Sequence, residues 1–256
     1  MKTPLLSQTM KEGIRVWTFD QPESSANVLG SRFFDAMERE LDLLEKKEIP
    51  VSGLFIRSAK PGMFLAGADL KELRSCRTKD LDDMIDRGQR AFERLASLPF
   101  PSVCIMDGVC LGGGYELALA CDYRIASSEK KTKIGLPEVQ LGLLPAWGGC
   151  SRLPRLIGMA KAIAVIASGK AFSARKALGL EMIDAVVRPE TLEREARKWL
   201  SKGKKKRLGR LDPYRRILGW LVAFGAKRKI RAKTRANYPA PLRAIDVIRK
   251  GAGEPI

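Results

Sequence analysis

Two carboxylates and two small-residue turns concentrate the chemistry in this sequence. The stretch "VCLGGGYELALACD" (109–122) sets Gly112, Gly113 and Gly114 directly ahead of a helix-like apolar run that contains Glu116. In "MFLAGADLKEL" (63–73), Ala66, Gly67 and Ala68 precede a second helix-like run, with Asp69 and Leu70 at its start. In "KIGLPEVQLGLLPAWGG" (133–149), Glu138 follows Pro137 in otherwise apolar sequence. Bare glycine backbone admits a ligand closely, and a helix N-terminus offers unpaired N–H groups at the positive end of its dipole. The glycine stretch therefore suits a phosphate loop, an oxyanion hole or tight helix–strand packing. No GK[ST] follows it and no GxGxxG is present, which weighs against a phosphate loop. An oxyanion hole needs two converging donors, and the N–H groups of Gly113 and Ala66 are the candidates. The plain alternatives are an ordinary strand-to-helix turn for AGA, a helix N-cap for Asp69 and a paired structural acid for Glu138. Two carboxylates in unlike surroundings can also hold their pKa values apart, one serving as acid and one as base.

The rest of the composition narrows the chemistry. The chain of 256 residues has no histidine, which excludes Ser-His-Asp and Cys-His catalysis and histidine metal sites. Acid–base work at neutral pH then falls to carboxylates, Lys, Cys, Tyr or water. Cys76, Cys104, Cys110, Cys121 and Cys150 form no CxxC pair and are odd in number, so reduced, mostly buried thiols and a cytoplasmic location are expected. No apolar run is long enough to span a bilayer, and the N-terminus lacks the apolar stretch of a signal peptide. The net charge of +18 is lopsided: residues 201–256 hold 17 Lys and Arg against three acids, a surplus of 14.

The elements that must position these groups alternate. Strands are expected at 13–20, 51–58, 102–108 and 123–128, and helices at 31–48, with Ser31 as N-cap, and at 78–98, stopped by Pro99 and Pro101. That alternation argues for an α/β fold of βα units with helices covering a sheet. Beyond Gly148 the chain reads as mainly helical, with one more strand at 184–189. "KGKKKR" (202–207) reads as a solvated joint, and 211–250 as helical and basic.

Together the three motifs resemble those of the enoyl-CoA hydratase/isomerase (crotonase) family, over about residues 10–190. The resemblance implies a crotonase-like spiral of ββα units, with 1–190 as the core and 191–256 as a basic helical C-terminal region. It also implies Ala66 and Gly113 as oxyanion donors and Glu116 and Glu138 as the water-holding pair, with attack assigned mainly to Glu138 or to both. Gly67, Ala68, Asp69, Leu70 and Gly112 are implied contacts for substrate, coenzyme A packing against the AGADL backbone. The reaction implied is hydration of a trans-2-enoyl-CoA thioester in fatty-acid β-oxidation, without metal or redox cofactor. "GLPEVQLGLLPAWGGCSRLPRLIG" and "RAKTRANYPAPLRAIDVIRKG" are similar to the hydratase part of the multifunctional oxidation α subunits. The chain carries no dinucleotide fingerprint, so the expectation is a hydratase portion without an NAD site. Trp147 and Tyr115 are bulkier than is usual in the family at their positions and are expected to narrow the acyl channel. The family also implies self-association or a thiolase partner. The alternatives are a Δ3–Δ2 enoyl-CoA isomerase and an RNA-binding relative. The basic tail is the only feature for the latter, and nucleic acid is not the expected partner. Within the tail, Ile217, Leu218, Leu221, Val222 and Phe224 beside cations suit a helix folded over the core, with peripheral membrane or partner contact as the other use.

Overall fold

The computed structural model describes residues 3–10, 12–22, 24–206, 213–234 and 239–251. The long apolar runs become a six-stranded sheet in the order β1-β2-β3-β5-β7-β10. Its strands are β1 (Leu5–Thr9), β2 (Ile14–Phe19), β3 (Gly53–Ser58), β5 (Ser102–Met106), β7 (Tyr123–Ser127) and β10 (Ala185–Val187), all parallel except β1 against β2. Three of these strands are each followed by a three-residue partner: β4 (Met63–Leu65), β6 (Val109–Leu111) and β8 (Lys133–Gly135). With β9 (Ala171–Ser173), these build a second sheet in the order β4-β6-β8-β9. Each strand pair then passes into helix: α2 (Leu70–Ser75) and α3 (Thr78–Ser97) after β4, α4 (Gly113–Ala120) after β6, and a 3₁₀ turn (Glu138–Leu141) and α5 (Gly149–Ile157) after β8. The expected ββα spiral is present, and the chemical motifs sit where each second strand ends.

Period-two burial explains the layering. Trp17, Phe19, Leu54, Ile56, Cys104 and Met106 face the main core, which α1 (Ser31–Glu45), α3 and α4 complete. The intervening residues Val16, Phe55, Val103, Ile105 and Ile125 face the other way and are covered by Leu192, Ala196 and Leu200 of α8 (Leu192–Leu200). The boundary at 190 therefore does not separate packing units: both faces of a buried parallel sheet must be covered, and α8 covers one of them. Around the far end, α6 (Met159–Ser168) packs on α5, and α7 (Ala174–Gly179) connects β9 to β10. The tail helices α9 (Pro213–Thr234) and α10 (Pro239–Gly251) fold onto α5 and α6, and α10 also supports the 3₁₀ turn that carries Glu138. In α9, Ala223 is buried while Trp220, Leu221 and Phe224 face solvent; the side chains of Ile217 and Leu218 lie outside the described residues. Among the described residues no helix is long and apolar enough to cross a membrane. The five cysteines are unpaired, and all but Cys76 are buried.

Two local expectations need correction. The N-cap of α1 is Gly30, not Ser31; Ser31 sits inside the first turn, and its N–H and hydroxyl both donate to the Glu72 carboxylate. A side chain from α2 thus supplies the cap that the local sequence lacks. Nor is "KGKKKR" simply a solvated joint: Lys202 and Lys206 are exposed and Arg207 lies outside the described residues, but Lys204 and Lys205 are paired. Lys204 Nζ reaches Asp122 at 3.1 Å and Lys205 Nζ reaches Asp184 at 2.7 Å, beside an Arg124–Asp184 pair at 2.8 Å. Asp122 and Asp184 stand just ahead of β7 and β10 with their carboxylates mostly buried, so the lysines are drawn in to pair with them. Replacing both Lys204 and Lys205 by Gln is expected to destabilise the protein by about 1–2 kcal/mol. Denaturant melts at low and high salt check this, the loss shrinking with salt while any catalytic rate is unchanged.

Candidate active site

The turn after β4 is held by backbone pairing to residues 27–29. Ala66 N–H donates to Asn27 O at 2.9 Å, Leu29 N–H to Gly67 O at 2.8 Å and Asp69 N–H to Leu29 O at 2.8 Å. This pairing leaves Ala68 N–H without a backbone partner. The chain can make the turn because Gly67 has φ +107°, a conformation that costs a side-chain-bearing residue. Asn27, buried and not singled out from sequence, braces the turn: its Nδ2 donates to Ser58 Oγ at 2.9 Å and to Phe64 O at 3.1 Å, and its Oδ1 accepts from Gln21 N–H at 2.8 Å. The assignment of Ala66 as an oxyanion donor is therefore corrected, since its N–H is already used inside the fold, whereas Ala68 N–H, two residues on and on the cavity wall, is not.

The turn after β6 abuts it. Gly112 has φ +54°, its N–H donates to Gly135 O at 2.9 Å, and its carbonyl accepts from Tyr115 and Glu116 N–H at 2.8 and 3.0 Å. Gly113 then opens α4 with its N–H unpaired, as the first residue of a helix must. A methyl group placed on Gly67 would lie 3.4 Å from Leu111 O and 3.9 Å from Gly113 N, so the two turns are in direct contact. Ala68 and Gly113 line one cavity of about 410 Å³, together with Ala66, Gly67, Leu70 and Gly112. Its remaining walls are mostly apolar, from α3 and from the loop that follows Glu138. Asp69 is absent from that wall: its carboxylate caps α2, accepting from Lys71 and Glu72 N–H at 2.9 and 3.2 Å.

Glu116 and Glu138 both reach the same cavity. Glu116, on the first turn of the wholly buried α4, accepts a hydrogen bond from Gly149 N–H at 2.7 Å, a contact supplied by the start of α5. Glu138 opens the 3₁₀ turn with both carboxyl oxygens buried and without a hydrogen-bond partner. Its Oε1 lies 2.9 Å from where a Cβ on Gly112 would stand, so that glycine makes room for it. Burial raises the Glu116 carboxyl above the ordinary range, while backbone hydrogen bonds from Gly149 and Trp147 and the charge of Arg152 oppose the shift. Burial also raises Glu138, and there the Glu116 charge adds to the shift. The two titrate as a pair. The side with hydrogen-bond donors and a cation favours the ionised form, and the bare apolar side favours the proton.

Of the two bulky residues expected to narrow the channel, only Trp147 lines the cavity. Tyr115 points away from it into the core, fully buried, with its hydroxyl donating to Met182 O at 2.8 Å. Helical periodicity explains this: positions 115 and 116 lie about 100° apart, so both cannot face the cavity. Gly149, which holds Glu116, was hidden in sequence because its role is a single backbone N–H.

Comparison with known proteins bears on the family and the fold. Residues 9–209 match the sequence family described as Enoyl-CoA hydratase/isomerase. The chain is 41% identical over 245 residues to the fatty acid oxidation complex subunit alpha of Aliivibrio fischeri, and the match covers 94% of this chain and 36% of that relative. It is 42% identical over 241 residues to the subunit of the same name from Vibrio cholerae, covering 91% and 34%. The chain thus spans about a third of the length of these relatives. Its fold is shared with an enoyl-CoA hydratase from Bacillus anthracis at TM-score 0.72 and 26% identity, over 97% of this chain and 90% of that one.

Proposed function

The chain belongs to the enoyl-CoA hydratase/isomerase family, and from that premise we propose that it adds water across the double bond of trans-2-enoyl-CoA thioesters. The observation that carries this reading is the buried Glu116–Glu138 pair, unlike in surroundings, facing one apolar cavity beside two unpaired backbone N–H groups. The thioester carbonyl would accept from Ala68 and Gly113 N–H, with the positive end of α4 behind it, and so draw electron density from C3. Ionised Glu116 takes a proton from the water whose oxygen bonds to C3. Protonated Glu138 delivers its proton to C2 as the double bond is lost, so the pair ends with its charge unchanged and its proton moved. Gly149 N–H favours Glu116 as the base, where the resemblance assigned attack mainly to Glu138. This reading assigns no metal and no redox cofactor to the reaction.

The relatives named as oxidation-complex subunits support placing the step in fatty-acid oxidation, with self-association or a thiolase partner as part of the same proposal. The test follows loss of the conjugated enoyl thioester absorbance with the purified chain, alongside a 3-enoyl thioester. Saturable hydration of the 2-enoyl compound is expected. Conversion of only the 3-enoyl compound would make the chain an isomerase, in which one carboxylate shuttles the proton, and no turnover of either would overturn the reading.

A further inference from the structure

Trp147 is seated in an unusual way. Its indole is 5% exposed and forms part of the cavity wall. The six-membered ring fills the place a side chain on Gly113 would need: its Cζ3 is 2.6 Å from the position of a Cβ there. The opposite edge lies over Gly88 of α3, where Nε1 occupies the place a Cβ on that residue would need. Behind it stand Phe34 and Phe92, edge-on at ring separations of 5.3 and 6.2 Å. The indole N–H is buried and makes no hydrogen bond, so shape alone holds the ring. The loop backbone is tied independently, with Gln89 Nε2 donating to Ala146 O at 2.7 Å and Arg152 Nη1 to Trp147 O at 3.1 Å. Gly88 is not part of the cavity wall.

We infer that Trp147 sets how long an acyl chain the cavity accepts, and that Gly88, from outside the cavity, is the positioning residue that decides how far the indole stands out of it. This rests on the hydratase reading for its ligand, an apolar acyl thioester. The indole fills the volume between the cavity and the rings of Phe34 and Phe92. Removing it adds that volume to the cavity. Adding a methyl at Gly88 closes the notch, and the ring, tightly packed behind, can yield only toward the cavity.

The experiment measures kcat/KM for ten-carbon and four-carbon trans-2-enoyl thioesters, together with the Kd ratio of the corresponding saturated thioesters. Trp147→Ala is expected to raise the long-to-short ratio about tenfold and Gly88→Ala to lower it about tenfold, the scale at which a cavity discriminates apolar groups. The double variant should behave as Trp147→Ala, since no indole remains to displace, and Trp147→Phe, which fills only part of the indole's volume, should fall between the parent and Trp147→Ala. Should Trp147→Ala fail to fold, Trp147→Leu gives the same comparison. Ratios within twofold of the parent in both the position-147 and the Gly88→Ala variants, with cooperative melting retained, overturn the inference. A parent that hydrates neither thioester sinks the hydratase reading instead, while the Kd ratios still decide this one.

Discussion

Replacing Glu116 or Glu138 by Gln is expected to lower the hydration rate by about 10²–10⁴-fold while thioester binding persists, because each variant keeps the shape of the site and loses one proton-transfer group. The parent should show a bell-shaped kcat/KM profile, with both limbs above the ordinary carboxylate range because burial raises both groups. Each Gln variant should lose that bell. Stability should respond in the opposite sense to activity. A carboxyl whose folded pKa is raised contributes stability that is full below its unfolded value and is lost as pH rises through the folded value. The parent should therefore lose stability from about pH 4.5, the ordinary glutamate value, up through the displaced range. The Gln variants should be flatter with pH and more stable at neutrality. Near-parental hydration by either variant would remove that residue from the mechanism. A rate loss accompanied by lost stability at neutral pH would show a structural acid instead.

Replacing Ala68 by Pro, which deletes one N–H, is expected to cut kcat by about 10²–10³-fold, the scale of one oxyanion donor. Deleting the N–H two residues earlier, with Ala66→Pro, should act differently. That N–H donates to Asn27 O, so the loss should appear in the melting temperature as a broken buried hydrogen bond. A second readout separates the two: the carbonyl stretch of a bound thioester should be shifted less in Ala68→Pro than in the parent. Full activity in a folded Ala68→Pro variant would return the AGA turn to simple packing. Gly113→Val is a poorer probe, because its side chain would meet Trp147 and Leu29 before any substrate.

What was legible in the sequence was what depends on neighbours along the chain. Runs such as "VSGLFIRS" and "SVCIMDG" announce buried strands because two covered faces demand unbroken apolar residues. The helices at 31–45 and 78–97 announce themselves by apolar spacing, Asp69 by its place ahead of a helix, and Glu116 and Glu138 by carboxylates standing in apolar surroundings. The absence of histidine alone confined the chemistry to such groups. The three-residue strands β4, β6, β8 and β9 were not read from the sequence, whereas the equally short β10 was, as part of the stretch 184–189.

Everything that turned on a partner distant in sequence was decided by the tertiary structure. Ala66 and Ala68 are the same residue two positions apart, and only pairing to Asn27 and Leu29, about forty residues upstream, leaves one N–H free and uses the other. Which carboxylate keeps the charge depends on Gly149, thirty-three residues beyond Glu116. The lysines at 204 and 205 look solvated until Asp122 and Asp184 are brought beside them. Trp147 becomes a wall only because α3 presents a glycine, Gly88, against it. Hydropathy patterns record which side of an element is dry. Hydrogen-bond partners and packing notches are pairwise properties of residues that only the folded chain brings together.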